Sequence, residues 1–267
     1  MTTRIFLAAE WRYLLMLNYE IDPAILQPLV PKGTELDEWN GRIYASMVGF
    51  LFQNTRLLGF PVPGHINFEE VNLRFYVRRR GPEGWRRGVV FVKEIVPRWA
   101  IATVAQIVYN ENYQALPMRH QLKTETNDQH ALFSQPQTSI YEDEDASIAI
   151  QENITGVAVA YEWQFQNRWQ GMRATTQGTP APIQTGSEAE FITEHYWGYA
   201  TQRNGGTVEY QVEHPRWQVW SVSDYQFDCD VADLYGPQFV APLSQPPTSV
   251  FIADGSGIVV RKGERIA

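Results

Sequence analysis

Turn-forming and chain-breaking residues recur roughly every 8 to 15 positions, and the segments between them are rich in Val, Ile, Phe, Tyr, Trp and Thr. Short runs of that kind fit strands, not the 3.6-residue repeat of amphipathic helices. The pattern predicts strands near 41–53, 66–79, 87–97, 99–109, 147–152, 156–165, 170–177, 194–203, 206–222 and 248–261. Helices are few. Asp22 followed by Pro23 reads as an N-cap with proline at the first helical position, opening a short helix that ends by Val30, before Pro31 and Gly33. Ser187, with Glu188 and Glu190 after it, caps a second helix, and Asn110 to Leu116, stopped by Pro117, is a third. No repeat or clean linker divides the chain, so a single mainly β domain over 1–267 is expected. The polar stretch 123–146, closing in the acidic run Glu142 to Asp145, reads as a solvated connection. Residues 176–190 form a loop long enough to rim a binding site.

Two strands carry the patterns that bear on function. In 66–79, Val71, Leu73, Phe75 and Val77 share one face, while Phe68, Glu70, Asn72, Arg74 and Tyr76 share the other. The apolar face packs on a core. The second face is then either solvated, with Glu70 and Arg74 as surface charges, or the polar wall of an internal cavity. In 194–217, Asn204-Gly205 is a strong hairpin signal. If those two residues alone form the loop, His195 faces His214, Tyr199 faces Tyr210 and Trp197 faces Val212, all on one side of the sheet. Two histidines, two tyrosines and a tryptophan make a hydrogen-bonding surface suited to a small-molecule pocket. The plainer alternative is a core hairpin whose histidines bond to backbone carbonyls.

Composition narrows the partners. The 267 residues are 44% hydrophobic and 19% charged, which allows a sizeable core and excludes disorder. With 22 Lys and Arg against 30 Asp and Glu, a net charge of −8, nucleic acid is a disfavoured partner. No apolar run approaches a membrane span, and Glu10 and Arg12 interrupt the stretch a signal peptide would need. The lone Cys229 makes no internal disulfide, and a soluble cytoplasmic protein is expected. The chain has no CxxC, HExxH, GxSxG, phosphate-binding loop or GxGxxG after a strand, so no cofactor and no metal is expected. A two-histidine, one-carboxylate metal site from His195, His214 and Glu70 is conceivable without any spacing motif behind it. Of the lysines Lys32, Lys93, Lys123 and Lys262, only Lys93 lies in an apolar run, where desolvation could prepare it as a nucleophile; a snorkelling edge lysine is the alternative.

The segments LVPKGTELDEWNGRIYASMVGF at 29–50, FEEVNLRFYV at 68–77, GVVFVKEIVPR at 88–98 and YNENYQALPMRH at 109–120, with TEHYWGY and EYQVEHPRW further on, resemble the YqjF-like family (domain of unknown function 2071), placed in the acetoacetate decarboxylase-like superfamily. The resemblance covers roughly residues 10 to 260. It implies a bent antiparallel sheet closing into a barrel or cone around an internal cavity, with few short helices outside. It further implies that Glu70 lines the cavity, with Glu69 as the fallback. The decarboxylases form a Schiff base through a lysine in a Pro-Lys-Lys sequence, its pKa depressed by burial and a cationic neighbour. The comparable stretch here reads Pro117-Met118-Arg119-His120, so imine-dependent decarboxylation by that route has no amine. Arg119 keeps a cation on a path defined by Pro117, and the resemblance implies that this segment lies where the superfamily keeps its cavity cations, unless Arg119 is a structural arginine paired with Glu70 or Glu111.

The expectation is a pocket for a small polar or anionic molecule, with homo-oligomer formation left open. Arg74, Asn72 and Arg119 would bind the ligand, and Trp197, Tyr199, Tyr210 and Trp217 would wall it. Glu70, His195 and His214 would carry acid–base chemistry if the protein is a lysine-independent lyase or hydrolase. The remaining alternative is a structural or interaction protein without a ligand.

Overall fold

A computed structural model describes residues 4–61, 64–97, 112–126 and 154–266. The expected strands at 99–109 and 147–152, and the acidic run, lie outside the described residues.

Long strands dominate: β1 (Ile5–Glu20), β3 (Tyr44–Leu57), β5 (Phe68–Gly81), β6 (Gly84–Val96), β9 (Ile154–Phe165), β14 (Gln218–Asp228) and β15 (Ser249–Arg261). Shorter ones are β2 (Glu35–Leu36), β4 (Phe60–Pro61), β7 (Tyr113–Ala115), β8 (Met118–Thr126), β10 (Arg168–Thr176), β11 (Ala181–Pro182), β12 (Trp197–Thr201), β13 (Thr207–Glu213) and β16 (Glu264–Arg265). The helices are α1 (Pro23–Leu26), α2 (Glu188–Thr193), α3 (Val231–Tyr235) and α4 (Val240–Leu243). Both sequence-predicted caps are present: Asp22 Oδ1 accepts from Ala24 N at 2.9 Å and Ser187 Oγ accepts from Glu190 N at 3.2 Å. None of the described helices is long and apolar enough to cross a membrane.

The strands run in the order β13-β12-β6-β5-β3-β1-β15, and β13 then pairs with β15 through Val212–Val260 and Glu213–Val259. That pairing closes a ring of strands. From β15 the sheet continues through β14, β10, β9 and β8, a second layer that folds over the outside of the ring.

Alternation divides the side chains of the ring between two cores. On β5, Val71, Leu73, Phe75 and Val77 point outward into a core shared with Val157, Val159, Tyr161, Trp163, Met172 and Trp220 of the second layer. On β3, Ala45, Met47 and Leu51 join that core, while Tyr44, Val48, Phe50 and Phe52 point inward. Tyr161 crosses to seat its ring on Gly49, where an added Cβ would sit 2.6 Å from Cδ2, and its hydroxyl donates to Tyr13 O at 2.8 Å.

β1 was not expected. Its run IFLAAEWRYLLMLNYE shows no steady alternation because it bulges at Tyr13, whose φ of +54° breaks the pleat between Arg12 and Leu15, and because from Leu14 to Tyr19 it is buried on both faces. The bulge reverses parity: Ala9 and Trp11 face inward before it, Leu14 and Met16 after it. The partner strand turns at the same level at Gly255, with φ +81°.

Three further expectations are corrected. The described part of the predicted helix 110–116 is strand β7, which pairs in parallel with β6. The predicted strand 206–222 breaks at 214–217, where Pro215 cannot donate to a ladder, into β13 and β14. The beginning of the polar stretch 123–146 belongs to β8, whose exposed outer-layer position accounts for its polarity.

Candidate functional site

A cavity of about 200 Å³ lies on the inward face of the ring, and β1, β3, β5, β6, β12, β13 and β15 all contribute to its lining. From β5 come Phe68, Glu70, Asn72 and Arg74, the predicted polar row. The row is buried, so it is the wall of a cavity and not a solvated face. Glu70 Oε1 accepts from Asn72 Nδ2 at 2.9 Å. Phe50, Phe52, Trp11, Phe91 and Trp217 supply much of the remaining surface.

Among the described residues Arg74 is the one Lys or Arg side chain that lines this cavity. It is only 8% exposed, and among the described residues no carboxylate lies within salt-bridge distance of it. Its Nη2 donates to Ile192 O at 3.4 Å, its guanidinium carbon lies 5.7 Å from the Tyr76 ring centre, and its buried Nε has no hydrogen-bond partner among the described residues. A buried guanidinium edge without an acceptor is costly and is ordinarily matched by an anion.

His195 and His214 both line the cavity, but they are not the cross-strand pair that the turn implied. The pairs are Trp197–Gln211, Gly198–Tyr210 and Tyr199–Glu209, and Gln202 N donates to Gly206 O. The loop is therefore the three residues Arg203, Asn204 and Gly205, with only Gly205 at positive φ, and the register slips by one. His195 precedes β12 and His214 follows β13. They converge because the chain carries each beyond the paired region to the same end of the hairpin.

His195 is sealed between Tyr76 and Phe191, with ring centres 4.6 and 5.3 Å away. Its Nε2 lies 3.4 Å from Asp37 Oδ2, longer than an ordinary hydrogen bond. A carboxylate there favours the proton on Nε2, and the buried Nδ1 then carries a lone pair with no partner among the described residues. Burial pushes the His195 pKa down to about 4, against the opposing pull of Asp37. Asp37 itself is 2% exposed, and although burial works against its charge, its interactions with His195 and Arg87 hold it below the usual carboxylate range. Arg87 Nε donates to Asp37 Oδ2 at 2.6 Å, and Arg78 Nη1 lies 3.9 Å from Oδ1. Sequence reasoning missed Asp37, which sits in the irregular stretch after the two-residue β2 and shows no periodicity.

A pH dependence follows. Between pH 6.5 and about 4 the unfolded chain protonates this histidine before the folded one does, so its stability contribution is full above 6.5 and is lost on acidification through that window. The expected loss is about 3 kcal/mol. Denaturation midpoints measured across this range should fall steeply for the native chain and less for His195→Gln; equal slopes would contradict the assignment.

His214 stacks on Trp217 with ring centres 4.2 Å apart and lies 4.8 Å from Tyr196. Its Nδ1 donates to Pro215 O at 2.9 Å, leaving Nε2 as an acceptor in the neutral ring. Burial lowers its pKa too, helped by the positive charge of Arg74.

The other predicted site residues divide. Trp197, Tyr210 and Trp217 line the cavity. Tyr199 does not; the register slip sets it opposite Glu209, in the outer core. Arg119 lies on exposed β8, donates to Glu162 Oε2 at 2.7 Å and covers the Trp169 ring at 4.1 Å. Pro117 directs the chain onto the outer layer and not into the ring. Glu69, on the opposite face from Glu70, meets His120 Nδ1 at 2.6 Å. None of the four lysines, all described residues, lines the cavity; Lys93 pairs opposite Leu73 and its Nζ donates to Gln114 Oε1 at 3.2 Å. Among the described residues no group of three or more His, Cys, Asp or Glu is placed to hold a metal ion.

Known proteins share this architecture. The enduracididine biosynthesis enzyme MppR complexed with pyruvate superposes with a TM-score of 0.63 at 14% identity, covering 100% of this chain and 92% of that one. Acetoacetate decarboxylase from Legionella pneumophila subsp. pneumophila str. Philadelphia 1 gives 0.59 at 12% identity, covering 98% and 87%. An acetoacetate decarboxylase-like enzyme from Sphingomonas wittichii RW1 gives 0.61 at 12% identity, covering 97% and 92%. These identities establish the fold. In sequence, the uncharacterized protein YqjF of Bacillus subtilis (strain 168) is 41% identical over 75 residues, a match spanning 28% of this chain and 31% of that protein. The DUF2071 family, described as "Uncharacterized conserved protein (COG2071)", matches residues 8–257. A match over that length, on an acetoacetate decarboxylase-like fold, makes this chain a member of the DUF2071 family.

Proposed function

We propose that the cavity binds a small organic carboxylate through Arg74. The observation that carries this reading is the buried guanidinium with an unpartnered Nε and no carboxylate within salt-bridge distance among the described residues. A carboxylate accepts two parallel hydrogen bonds from a guanidinium edge, and inside an apolar cavity that pairing outweighs its equivalent in water. Asn72 and the neutral His195 and His214 stand beside the cation to orient such a ligand, and Trp197, Tyr210 and Trp217 wall it. The pyruvate of the structural relative makes a suitable probe. Arg74→Gln should weaken pyruvate binding in isothermal titration by about 1.5–3 kcal/mol, the range for hydrogen bonds to charged groups. Unchanged affinity with a lowered melting temperature would assign Arg74 to the scaffold.

A lysine-independent lyase or hydrolase is the second reading. What supports it is His214, whose Nδ1 is committed to Pro215 O so that Nε2 is a free base at neutral pH, in a cavity shared with Glu70 and His195. Imine chemistry has no lysine in the cavity to start from. Incubation with acetoacetate and borohydride should leave the mass of the protein unchanged, and a stable adduct on Lys93 would overturn this.

A further inference from the structure

We infer that the carboxylate taken by this cavity is amphipathic, with an apolar body at least the size of a phenyl ring attached to the acid group. The inference rests on the carboxylate reading above and names the class of acid. The cation stands at one end, Arg74 on β5 with His195 and His214 beside it, and Asn72, Glu94 and then Glu70 follow along the wall. The other end is aromatic. Trp217, stacked on His214, lies 6.4 Å from Trp11; Trp11 lies 5.4 and 5.9 Å from Phe50 and Phe52; and Phe52 stacks on Phe68 at 4.6 Å. These rings form one continuous wall leading from the histidines to the far end of the cavity. Phe68 precedes Arg74 by six residues of one strand, so the two ends are roughly 20 Å apart along the backbone. Beyond Phe52 and Phe68 the lining becomes half-buried at Phe6, Leu57 and His65, as it does at Trp197 and His214 beside the cation.

A two- or three-carbon acid seated on Arg74 would leave that wall in contact only with water. A ring or branched chain on the same acid would cover it, and covering a phenyl-sized surface is worth about ten- to a hundredfold in affinity. The wall also holds two buried donors without partners among the described residues, Trp11 Nε1 and Thr55 Oγ1, so an oxygen substituent on the body is tolerated there.

The test is isothermal titration of the full chain at pH 7 with propionate, 3-phenylpropionate and the uncharged 3-phenylpropionamide. The expected result is 3-phenylpropionate binding at least tenfold tighter than propionate. Phe91→Ala, which removes the cavity ring paired opposite Arg74, should abolish most of that advantage while leaving propionate unchanged, and Phe91→Leu serves if the first variant fails to fold. Equal affinity for the two acids overturns the inference and leaves the carboxylate reading standing. The amide binding as tightly as the acid, with Arg74→Gln affecting neither, overturns the carboxylate reading itself. Failure of both acids to bind overturns both.

Discussion

Replacing Asp37 with alanine is expected to cost about 3 kcal/mol of stability and to change the titration of His195 at the same time. The carboxylate is buried, accepts from Arg87 Nε and from Glu38 N, and stands 3.4 Å from His195 Nε2. Removing one member of a buried ion pair costs about 3–5 kcal/mol because the survivor is left uncompensated. Arg87 is one-third exposed and regains water, which puts the expectation at the low end of that range. Asp37 also pulls the His195 pKa upward against burial, so in the alanine variant the imidazole should be harder still to protonate. Chemical denaturation at pH 7 reads the first effect and histidine side-chain NMR the second. A loss under 1 kcal/mol, or an unshifted His195, would show that the carboxylate serves Arg87 and Arg78 alone.

Gly255→Ala should destabilise the ring more. At this position φ is +81°, which costs an L-residue about 1–2 kcal/mol. The new Cβ would also lie 1.9 Å from Trp11 O, a backbone atom within the β1–β15 ladder. Overpacking against side chains costs about 1–3 kcal/mol, and backbone yields less readily. We expect a loss of about 3–5 kcal/mol, lowering the melting temperature by about 10 °C. Because Trp11 belongs to the aromatic wall, its fluorescence should shift in the folded variant as well. A melting temperature within 3 °C of the native chain would mean that β1 and β15 can separate at Tyr13 without penalty.

Strand β5 was readable because its alternation of Glu70, Asn72 and Arg74 with Val71, Leu73 and Phe75 is unbroken, and the only open question was which face met water. Strand β1 was not, because a bulge reverses its parity midway and both faces are buried from Leu14 to Tyr19. The histidines were found through a turn whose sequence signal was sound but whose length was one residue greater than assumed. That single residue moved Tyr199 out of the site and left His195 and His214 in it, since both lie beyond the ladder that slipped. Asp37 and Arg119 mark the limit of local pattern. One is an acid in an irregular segment carried inward by the tertiary path; the other is a cation following a proline that was carried outward. Nothing within a few residues of either specifies the side of the sheet on which it falls.

The hairpin β12–β13 hangs in the ring by little backbone. It joins β6 through two parallel pairs and β15 through two antiparallel ones. Charge does much of the remaining joining: Arg79 and Arg86 reach Glu209 on one side, and Arg261 reaches Glu213 on the other. Ladders of amide bonds are nearly indifferent to dissolved salt, whereas partly exposed ion pairs are screened by it. Glu209 is buried and its seam resists salt, so the seam that ionic strength loosens is the one held by the half-exposed Glu213. High salt should quicken amide exchange at Val212 and Glu213 well before it affects Trp197 and Gly198 at the other seam.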